Sequence, residues 1–242
     1  MKTALTPAFV LHSRPYRETS LLLDLFSRDH GRIGLVARGV RKRNNPRHGL
    51  LQPYQRLMAA WSGKSDLMTL TDVEQDSRPY NLSSRRMISG FYLNELLIRL
   101  LHQGDPHVDL FDVYDRTLSE LNCTDSNEYL AIRLFEKKIL EAIGYGLTLD
   151  IDVESGAAIS PGVSYFYRAD KGAFRHCPDS GDYMEVSGDM LIALDHEVFG
   201  DENLLRECKI FMRYLLQKHI GNKPLASRKL FKFYIDNSRQ TI

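Results

Sequence analysis

Short runs of β-forming residues, separated by turn residues, occupy the first part of the chain. The first run is residues 9–12 (FVLH). Residues 19–26 (TSLLLDLF) and 32–37 (RIGLVA) flank a turn-rich spacer that ends in glycine, a pattern typical of a β-hairpin. Residues 57–61 (LMAAW) and 67–71 (LMTLT) flank another such spacer and predict a second hairpin.

These predicted strands all lie before residue 72, which leaves no room for the crossover helices that a parallel sheet needs. The segment therefore predicts a small antiparallel β-barrel of the OB or the SH3-like type. Between the two hairpins, residues 38–53 are rich in Arg, Asn, Gly and Pro. That composition predicts a long basic loop with little regular structure.

After Pro79 the apolar residues recur with the 3.6-residue period of an α-helix. A first helix reaches Leu100 from Ser83 or Ser84, since either hydroxyl can cap it. Residues 147–186 lose the period and predict an irregular insertion with a minor hairpin. Further helices are predicted at residues 108–118, 129–143, 187–194, 204–220 and 227–235.

These patterns predict an α+β protein of two domains, a small antiparallel barrel at residues 1–80 and a mainly α-helical domain at residues 81–242. The most apolar stretch, residues 90–101, is interrupted by polar residues, so no membrane span is expected. The first residues lack the apolar run of an export signal. The three cysteines are scattered, which predicts neither a disulfide framework nor a four-thiolate zinc site and favours the cytoplasm.

The net charge of +1 conceals an uneven distribution along the chain. Residues 30–65 hold eight basic residues and no acidic one, and residues 206–242 hold nine basic and two acidic. Residues 105–204 between them hold seven basic and 21 acidic residues. Basic segments at both ends are typical of a surface that contacts phosphates, although ordinary solvated faces would give the same counts.

Catalytic motifs are largely missing from the sequence. The phosphate-loop pattern would need glycine where Met58 stands, and no dinucleotide-binding glycine pattern or nucleophile elbow occurs. Asp150, Asp152 and Glu154 alternate as metal ligands can, but the spacing departs from a calcium-binding loop. The sequence therefore favours a binding protein without a cofactor or a metal over an enzyme.

Small OB barrels bind single strands with a cationic groove and with aromatic rings on which bases stack. Tyr16 is the best exposed aromatic candidate, whereas Phe9 and Phe26 are expected in the core. The basic residues of the barrel segment are expected to contact phosphates without reading sequence. The predicted DNA-binding residues are Arg14, Arg32, Arg38, Arg41, Lys42, Arg43 and Arg47.

Ordered blocks spread over nearly the whole chain resemble the RecO family of bacterial DNA repair proteins. They are AFVLHSRPY at 8–16, ETSL at 18–21, GR at 31–32, VARGVR at 36–41, LQP at 51–53, YLNELL at 92–97, RLFE at 133–136, IGYG at 143–146 and KPLASR at 223–228.

The resemblance implies an N-terminal OB fold, a helical domain, and binding and annealing of DNA without ATP. It also implies work with RecR to load RecA onto single strands coated by the single-stranded DNA-binding protein (SSB). Many relatives carry a four-cysteine zinc site in the region equivalent to residues 150–190. This chain has only Cys177 there, so it is similar to the subgroup without zinc and no metal is carried over.

The resemblance further implies that the helical domain binds the acidic, Phe-ended tail of SSB. Such a tail needs a cation for its carboxylate and an apolar pocket for its ring. Arg133 and Lys137 are the candidates for the cation, and Leu134 and Trp61 for the pocket. Leu134 replaces an arginine of the family block, so the affinity for the tail is expected to differ from that of relatives.

The sequence thus predicts a cytoplasmic, monomeric recombination mediator, associated with the nucleoid when bound to DNA. Its expected partners are single- and double-stranded DNA, the SSB tail and RecR. Two rivals from other classes stay open. One is a metal-dependent nuclease that uses Asp150, Asp152 and Glu154. The other is a pure protein-interaction adaptor, which would have no affinity for DNA even at low salt.

Overall fold

The computed structural model describes residues 2–64, 67–177, 180–221 and 223–238. The chain forms two compact units. Unit 1 is Met1–Ser126 with Lys223–Ile242, and unit 2 is Asn127–Asn222. No helix among the described residues is long and apolar enough to cross a membrane.

Five strands of unit 1 close into a barrel in the order β1-β2-β3-β5-β4, the five-stranded architecture of the OB fold. Both predicted hairpins are confirmed, since β2 pairs antiparallel with β3 and β4 with β5. Ser65 and Asp66 of the second predicted turn lie outside the described residues. The strands are β1 (Thr6–Tyr16), β2 (Ser20–Ser27), β3 (Gly31–Ala37), β4 (Arg56–Ser62) and β5 (Leu67–Gln75).

The barrel closes through a parallel pair of strands that the sequence pattern did not predict. β3 and β5 run parallel, with Val36 opposite Thr69, while β1 and β4 pair antiparallel. The barrel is therefore antiparallel except at this pair. Alternate side chains of the strands fill its interior, where Leu25, Leu35 and Trp61 have no exposed surface.

The segment between the hairpins differs slightly from the predicted loop. It is built of turns and includes a short helix, α1 (Arg47–Leu50). The remaining helices are α2 (Ser84–Leu100), α3 (Val108–Asn122), α4 (Glu128–Ala142), α5 (Gly188–Asp195), α6 (Glu202–Ile220) and α7 (Ala226–Ser238).

Helices α2 and α3 pack with the barrel inside unit 1. Phe9 and Phe26 are fully buried, as expected, and their ring centroids lie 5.3 and 5.4 Å from that of Phe111 on α3. The Nδ2 atom of Asn94 donates to the carbonyl of Leu11 at 2.8 Å. These buried contacts span the barrel and both helices, so the barrel and the first helices form one compact body, whereas the predicted domain boundary falls at residue 80.

Unit 2 contains α4, α5, α6 and a three-stranded sheet in the order β7-β6-β8. The strands are β6 (Ser164–Arg168), β7 (Gly172–Phe174) and β8 (Met184–Ser187). The antiparallel pair of β6 and β7 is the predicted minor hairpin. The third strand, β8, lies in the segment predicted to be irregular and pairs with β6.

Gly31 at the turn between β2 and β3 gives a prediction about stability. Its φ is +66°, and a Cβ atom there would lie 1.9 Å from the carbonyl oxygen of Asp105. Gly31→Ala should therefore lower the free energy of unfolding by about 2–4 kcal/mol in a urea titration. Gly49→Ala is the control, because nothing lies within 4 Å of its added carbon. Equal stability of the two variants would contradict the steric argument.

Candidate nucleic-acid interface

Strand register brings several cations to one end of the barrel. Arg14 on β1 lies opposite Leu22, which lies opposite Val36. Two positions further on, β1 ends at Tyr16, and Arg38 directly follows the last residue of β3. The β1–β2 turn and the start of the basic loop are therefore neighbours in space.

Hydrogen bonds attach the basic loop to this turn. The backbone N–H of Arg41 donates to the carbonyl of Thr19 at 2.9 Å. The Nη1 atom of Arg41 donates to the carbonyl of Arg17 at 3.4 Å. Within the loop, the Nδ2 atom of Asn45 donates to the carbonyl of Gly39 at 3.1 Å. These hydrogen bonds fix the start of the basic loop against the β1–β2 turn, so the cations of the loop lie near Arg14 and Arg17.

We call the exposed cations of this region the barrel-end cluster. Its members are Arg14, Arg17, Arg38, Arg41, Lys42 and Arg43. None of them forms an ion pair with a carboxylate of the described residues, although the exposed Glu18 lies in the same turn. Guanidinium and ammonium groups that have no carboxylate partner can donate to phosphate oxygens without first breaking an ion pair.

Arg32, which the sequence analysis placed among the DNA-binding residues, lies outside this cluster. Its Nη1 atom donates to the carbonyls of Ile98 and, at 2.9 Å, Leu101 at the end of α2. Its Nε atom lies 3.5 Å from a carboxylate oxygen of Asp24, and its side chain is only 18% exposed. Arg32 therefore stabilises the packing of α2 on the barrel and has little surface left for a phosphate.

Arg47 occupies an intermediate position among the predicted DNA ligands. Its side chain is exposed, but its Nη2 atom donates to a carboxylate oxygen of Asp72 on β5 at 2.9 Å. A phosphate would have to compete with this carboxylate. The positive charge of Arg47 is thus partly neutralised by Asp72, whereas the members of the barrel-end cluster have no such partner among the described residues.

Other arginines of the barrel are bound by carboxylates of α3. Arg28 donates to both carboxylate oxygens of Asp112, at 3.1 and 3.0 Å, and this hydrogen bonding lowers the pKa of Asp112. Arg56 lies 2.8 Å from Asp115. The barrel thus has two kinds of arginine. Arg28 and Arg56 bind carboxylates of α3, whereas the arginines of the barrel-end cluster extend into solvent.

Aromatic groups contribute little exposed surface at the barrel end. The guanidinium of Arg17 lies 5.2 Å from the centroid of the half-buried Tyr16 ring. Trp61, predicted for the SSB pocket, is fully buried in the barrel core. That prediction for Trp61 has to be corrected, because its ring has no surface for a ligand. Arg17 was not among the predicted DNA-binding residues. Its position directly after Tyr16 in the sequence could have indicated that it belongs to the same exposed turn.

The candidate tail-binding residues of unit 2 lie on α4 and are largely buried. Arg133 is 8% exposed, and its Nη1 atom lies 2.8 Å from Glu136. Lys137 is also 8% exposed, and its Nζ atom donates to the carbonyl of Leu194 at 3.0 Å and to Glu197 at 3.1 Å. Leu134 is half-buried. Both cations are therefore already held by groups of the protein.

Among the acidic residues of the nuclease rival, Asp152 has a local structural role. Asp152 is buried, and its Oδ1 atom accepts from the backbone N–H of Glu154 at 2.9 Å and of Ser155 at 3.3 Å. Burial raises the pKa of Asp152, but these hydrogen bonds outweigh it and the pKa is lowered. Within the described part of the chain, no three His, Cys, Asp or Glu side chains are grouped to hold a metal ion.

The three cysteines lie in different environments and give a second prediction. Cys123 and Cys177 are exposed, and Cys208 is buried. Burial raises the pKa of the Cys208 thiol to about 12, so it has almost no thiolate at pH 8. A thiol-specific chromogenic disulfide should titrate two thiols in the native protein and the third only after unfolding. Rapid native reaction of all three thiols would contradict the burial of Cys208.

Comparisons with known proteins cover most of the chain. The family model described as Recombination protein O N terminal matches residues 1–77, and the one described as Recombination protein O C terminal matches residues 82–229. A protein of Coxiella burnetii (strain CbuG_Q212) named DNA repair protein RecO is 44% identical over 229 residues, which cover 95% of this chain and 98% of the relative. Relatives of the same name from Nitrosospira multiformis and Nitrosococcus oceani are each 42% identical and cover 93% and 96% of this chain, with 93% and 94% of their own lengths.

Proposed function

Because the chain belongs to the RecO family of DNA repair proteins, we propose that it binds single- and double-stranded DNA without sequence preference and anneals complementary strands without ATP. The observation that carries this proposal is the barrel-end cluster. Its six exposed cations lie on an OB barrel, without a paired carboxylate among the described residues. An OB barrel with a cationic surface is a common platform for single strands.

The chemistry of the cluster suits contact with the backbone of DNA. Guanidinium groups form bidentate hydrogen bonds with phosphate oxygens, and exposed Arg and Lys side chains adapt to any sequence. Each phosphate contact releases condensed counterions, which supplies much of the free energy of binding. Two bound strands carry less mutual repulsion, so their pairing is accelerated without hydrolysis of a nucleotide.

The same proposal includes a role as a recombination mediator. The protein, as a monomer, would work with RecR and help to load RecA onto single strands that SSB coats. The acidic SSB tail would dock on unit 2 at α4, which carries the half-buried Leu134 and the largely buried cations Arg133 and Lys137. The tail carboxylate must there compete with Glu136 and Glu197.

Annealing of two labelled complementary oligonucleotides tests the proposed function directly. In the absence of ATP and of magnesium, the protein should accelerate annealing, and the acceleration should fall steeply as salt is added. The logarithm of the affinity for single strands should decrease with the logarithm of the salt concentration with a slope of about −4 if all six cations contact phosphates. No acceleration and no DNA affinity at low salt would favour the adaptor instead, whereas magnesium-dependent cleavage lost in Asp152→Ala would favour the nuclease.

The tail site gives a third prediction, with Leu134 as the position to change. Leu134→Glu should weaken binding of a synthetic SSB-tail peptide at least tenfold, because a half-exposed carboxylate would repel the acidic tail. Binding is measured by fluorescence anisotropy of the labelled peptide. Tyr129→Glu, at an exposed position of the first turn of α4, is the matched control. Unchanged peptide binding by Leu134→Glu would refute this location.

A further inference from the structure

Helix α7 is attached to the rest of unit 1 by one face near its beginning. The carboxylate of Glu95 on α2 accepts from the backbone N–H of Ala226 at 2.8 Å and of Ser227 at 2.9 Å. Burial raises the pKa of Glu95, but these hydrogen bonds and the ion pair with Arg99 outweigh it, so its pKa is lowered. The Nη2 atom of Arg99 also donates to the carbonyl of Pro224 at 3.0 Å. The inner face of α7 is thus defined by its contacts with α2.

A different face of α7 exposes large apolar side chains. Phe233 is 67% exposed and Leu230 is 47% exposed. Leu230 and Phe233 lie three residues apart, so their side chains are neighbours on the helix surface. A single exposed apolar side chain is ordinary, but adjacent exposed apolar side chains with a polar rim are typical of a binding surface. We call this exposed side of the helix the outer face of α7.

Cations border the apolar residues on the outer face. Lys229 lies one helical turn before Phe233 and three residues before Lys232, and both lysines are exposed. Arg228 is exposed as well. The sequence of the helix, ASRKLFKFYIDNS, contains a single carboxylate, that of Asp236. The outer face of α7 therefore combines an accessible aromatic ring with uncompensated positive charge.

We propose that the outer face of α7 binds a single strand of DNA, as a second site beside the barrel-end cluster. The ring of Phe233 stacks on a base, and the ammonium groups of Lys229 and Lys232 contact the flanking phosphates. This inference rests on the proposed annealing function, which requires that two strands be held at once. The barrel-end cluster would hold one strand and the outer face of α7 the other until the two strands pair.

The composition of the outer face favours a nucleic acid over a protein partner. Two exposed lysines, Lys229 and Lys232, on a helix with one carboxylate favour a polyanion. An aromatic ring beside those cations is the combination that binds single strands in sequence-independent sites. A protein partner would use Leu230 as much as Phe233, because both present apolar surface. The two side chains can therefore be compared directly.

Two oligonucleotides that cannot pair with each other provide the test. The full chain is saturated with a first strand, and binding of a second strand with another fluorophore is followed by sedimentation velocity. The wild-type protein should carry both strands on one chain. Lys229→Gln/Lys232→Gln/Phe233→Leu should bind the second strand and anneal complementary strands at least tenfold more weakly, which is about 1.4 kcal/mol. Its affinity for the first strand should stay within about twofold.

Matched variants separate stacking from simple apolar contact. Phe233→Tyr keeps an aromatic face and should preserve second-strand binding, whereas Phe233→Leu should weaken it and Leu230→Ala should not. Because all of these positions are exposed, the helical content by circular dichroism should be unchanged. The charge-only variant Lys229→Gln/Lys232→Gln serves if the triple variant fails to fold.

The outcomes distinguish this inference from the function on which it rests. If the wild-type protein binds no DNA, both are overturned. If the triple variant carries two strands as well as the wild type does, only the site on α7 is overturned. If Leu230→Ala weakens binding as much as Phe233→Leu does, the stacking role is wrong and the apolar surface belongs to a protein partner.

Discussion

Replacing Arg38, Arg41, Lys42 and Arg43 together by alanine should lower the affinity for single-stranded DNA by roughly two to three orders of magnitude at about 0.1 M salt. These four residues of the barrel-end cluster are exposed, and no carboxylate of the described residues forms an ion pair with them. Apart from the exposed hydrogen bond of Arg41 to the carbonyl of Arg17, their removal should cost only the contacts with phosphates, because none of the four side chains is buried. The fold should therefore survive the fourfold change.

The dependence on salt is the more specific measurement. Loss of four phosphate contacts should flatten the slope of log affinity against log salt by about 3, because each contact to a single strand contributes about 0.7. A matched control removes four positive charges from the acidic middle of the chain instead. Its exposed or half-exposed positions are Arg116, Lys138, Lys171 and Arg175.

The control variant should keep the slope of the wild-type protein. Its net charge is nevertheless as low as that of the variant in which Arg38, Arg41, Lys42 and Arg43 are replaced, which we call the loop variant. If both variants flatten the slope equally, the effect belongs to the net charge and the cluster is not the interface. If the loop variant keeps the full slope, the phosphates contact other residues. Each result refers to the location of the contacts, independently of the proposed annealing activity.

The difference between Arg32 and Arg38 shows what the sequence could not predict about the site. Both residues belong to the same basic window, and both were expected to contact DNA. Arg32 lies inside β3, and its guanidinium reaches carbonyls of α2 that are about seventy residues away in the chain, as the separations of 66 and 69 show. Arg38 follows the strand, and its side chain has no such partner among the described residues. Packing against distant parts of the chain determines which arginines are left without a protein partner. The pattern of residues along the sequence does not reveal this packing.

The predictability of the fold also depends on whether the interacting residues are close or distant in the chain. The hairpins of β2 with β3 and of β4 with β5 follow from neighbouring β-forming runs and their turns, so they were predictable. The parallel pair of β3 and β5 joins Gly34 to Leu67, which no local signal encodes. The return of α7 to α2 through Glu95 joins residues 131 and 132 positions apart. The sequence predicts elements well where their partners are close in the chain.

Arg133→Glu should unfold or severely destabilise unit 2, by at least about 3–5 kcal/mol. Arg133 is nearly buried beside Glu136, which has 1% exposure, and the two charges lie 2.8 Å apart. The substitution would place two carboxylates in one desolvated site, where each lacks the cation that now compensates Glu136. A loss of tail binding in this variant would report the loss of structure and would say nothing about the tail site.

Chemical denaturation separates the buried pair from ordinary surface charge. Lys138→Glu, one residue beyond Lys137 and only partly buried, should change the free energy of unfolding by less than about 1 kcal/mol, because its ion pair with Glu141 is largely solvated. Arg133→Met combined with Glu136→Leu should be more stable than either single replacement, since the double variant leaves no buried charge without a partner. If Arg133→Glu unfolds at the same urea concentration as the wild-type protein, Arg133 is accessible to solvent, and a loss of tail binding in this variant would then report directly on its role as the cation for the SSB tail.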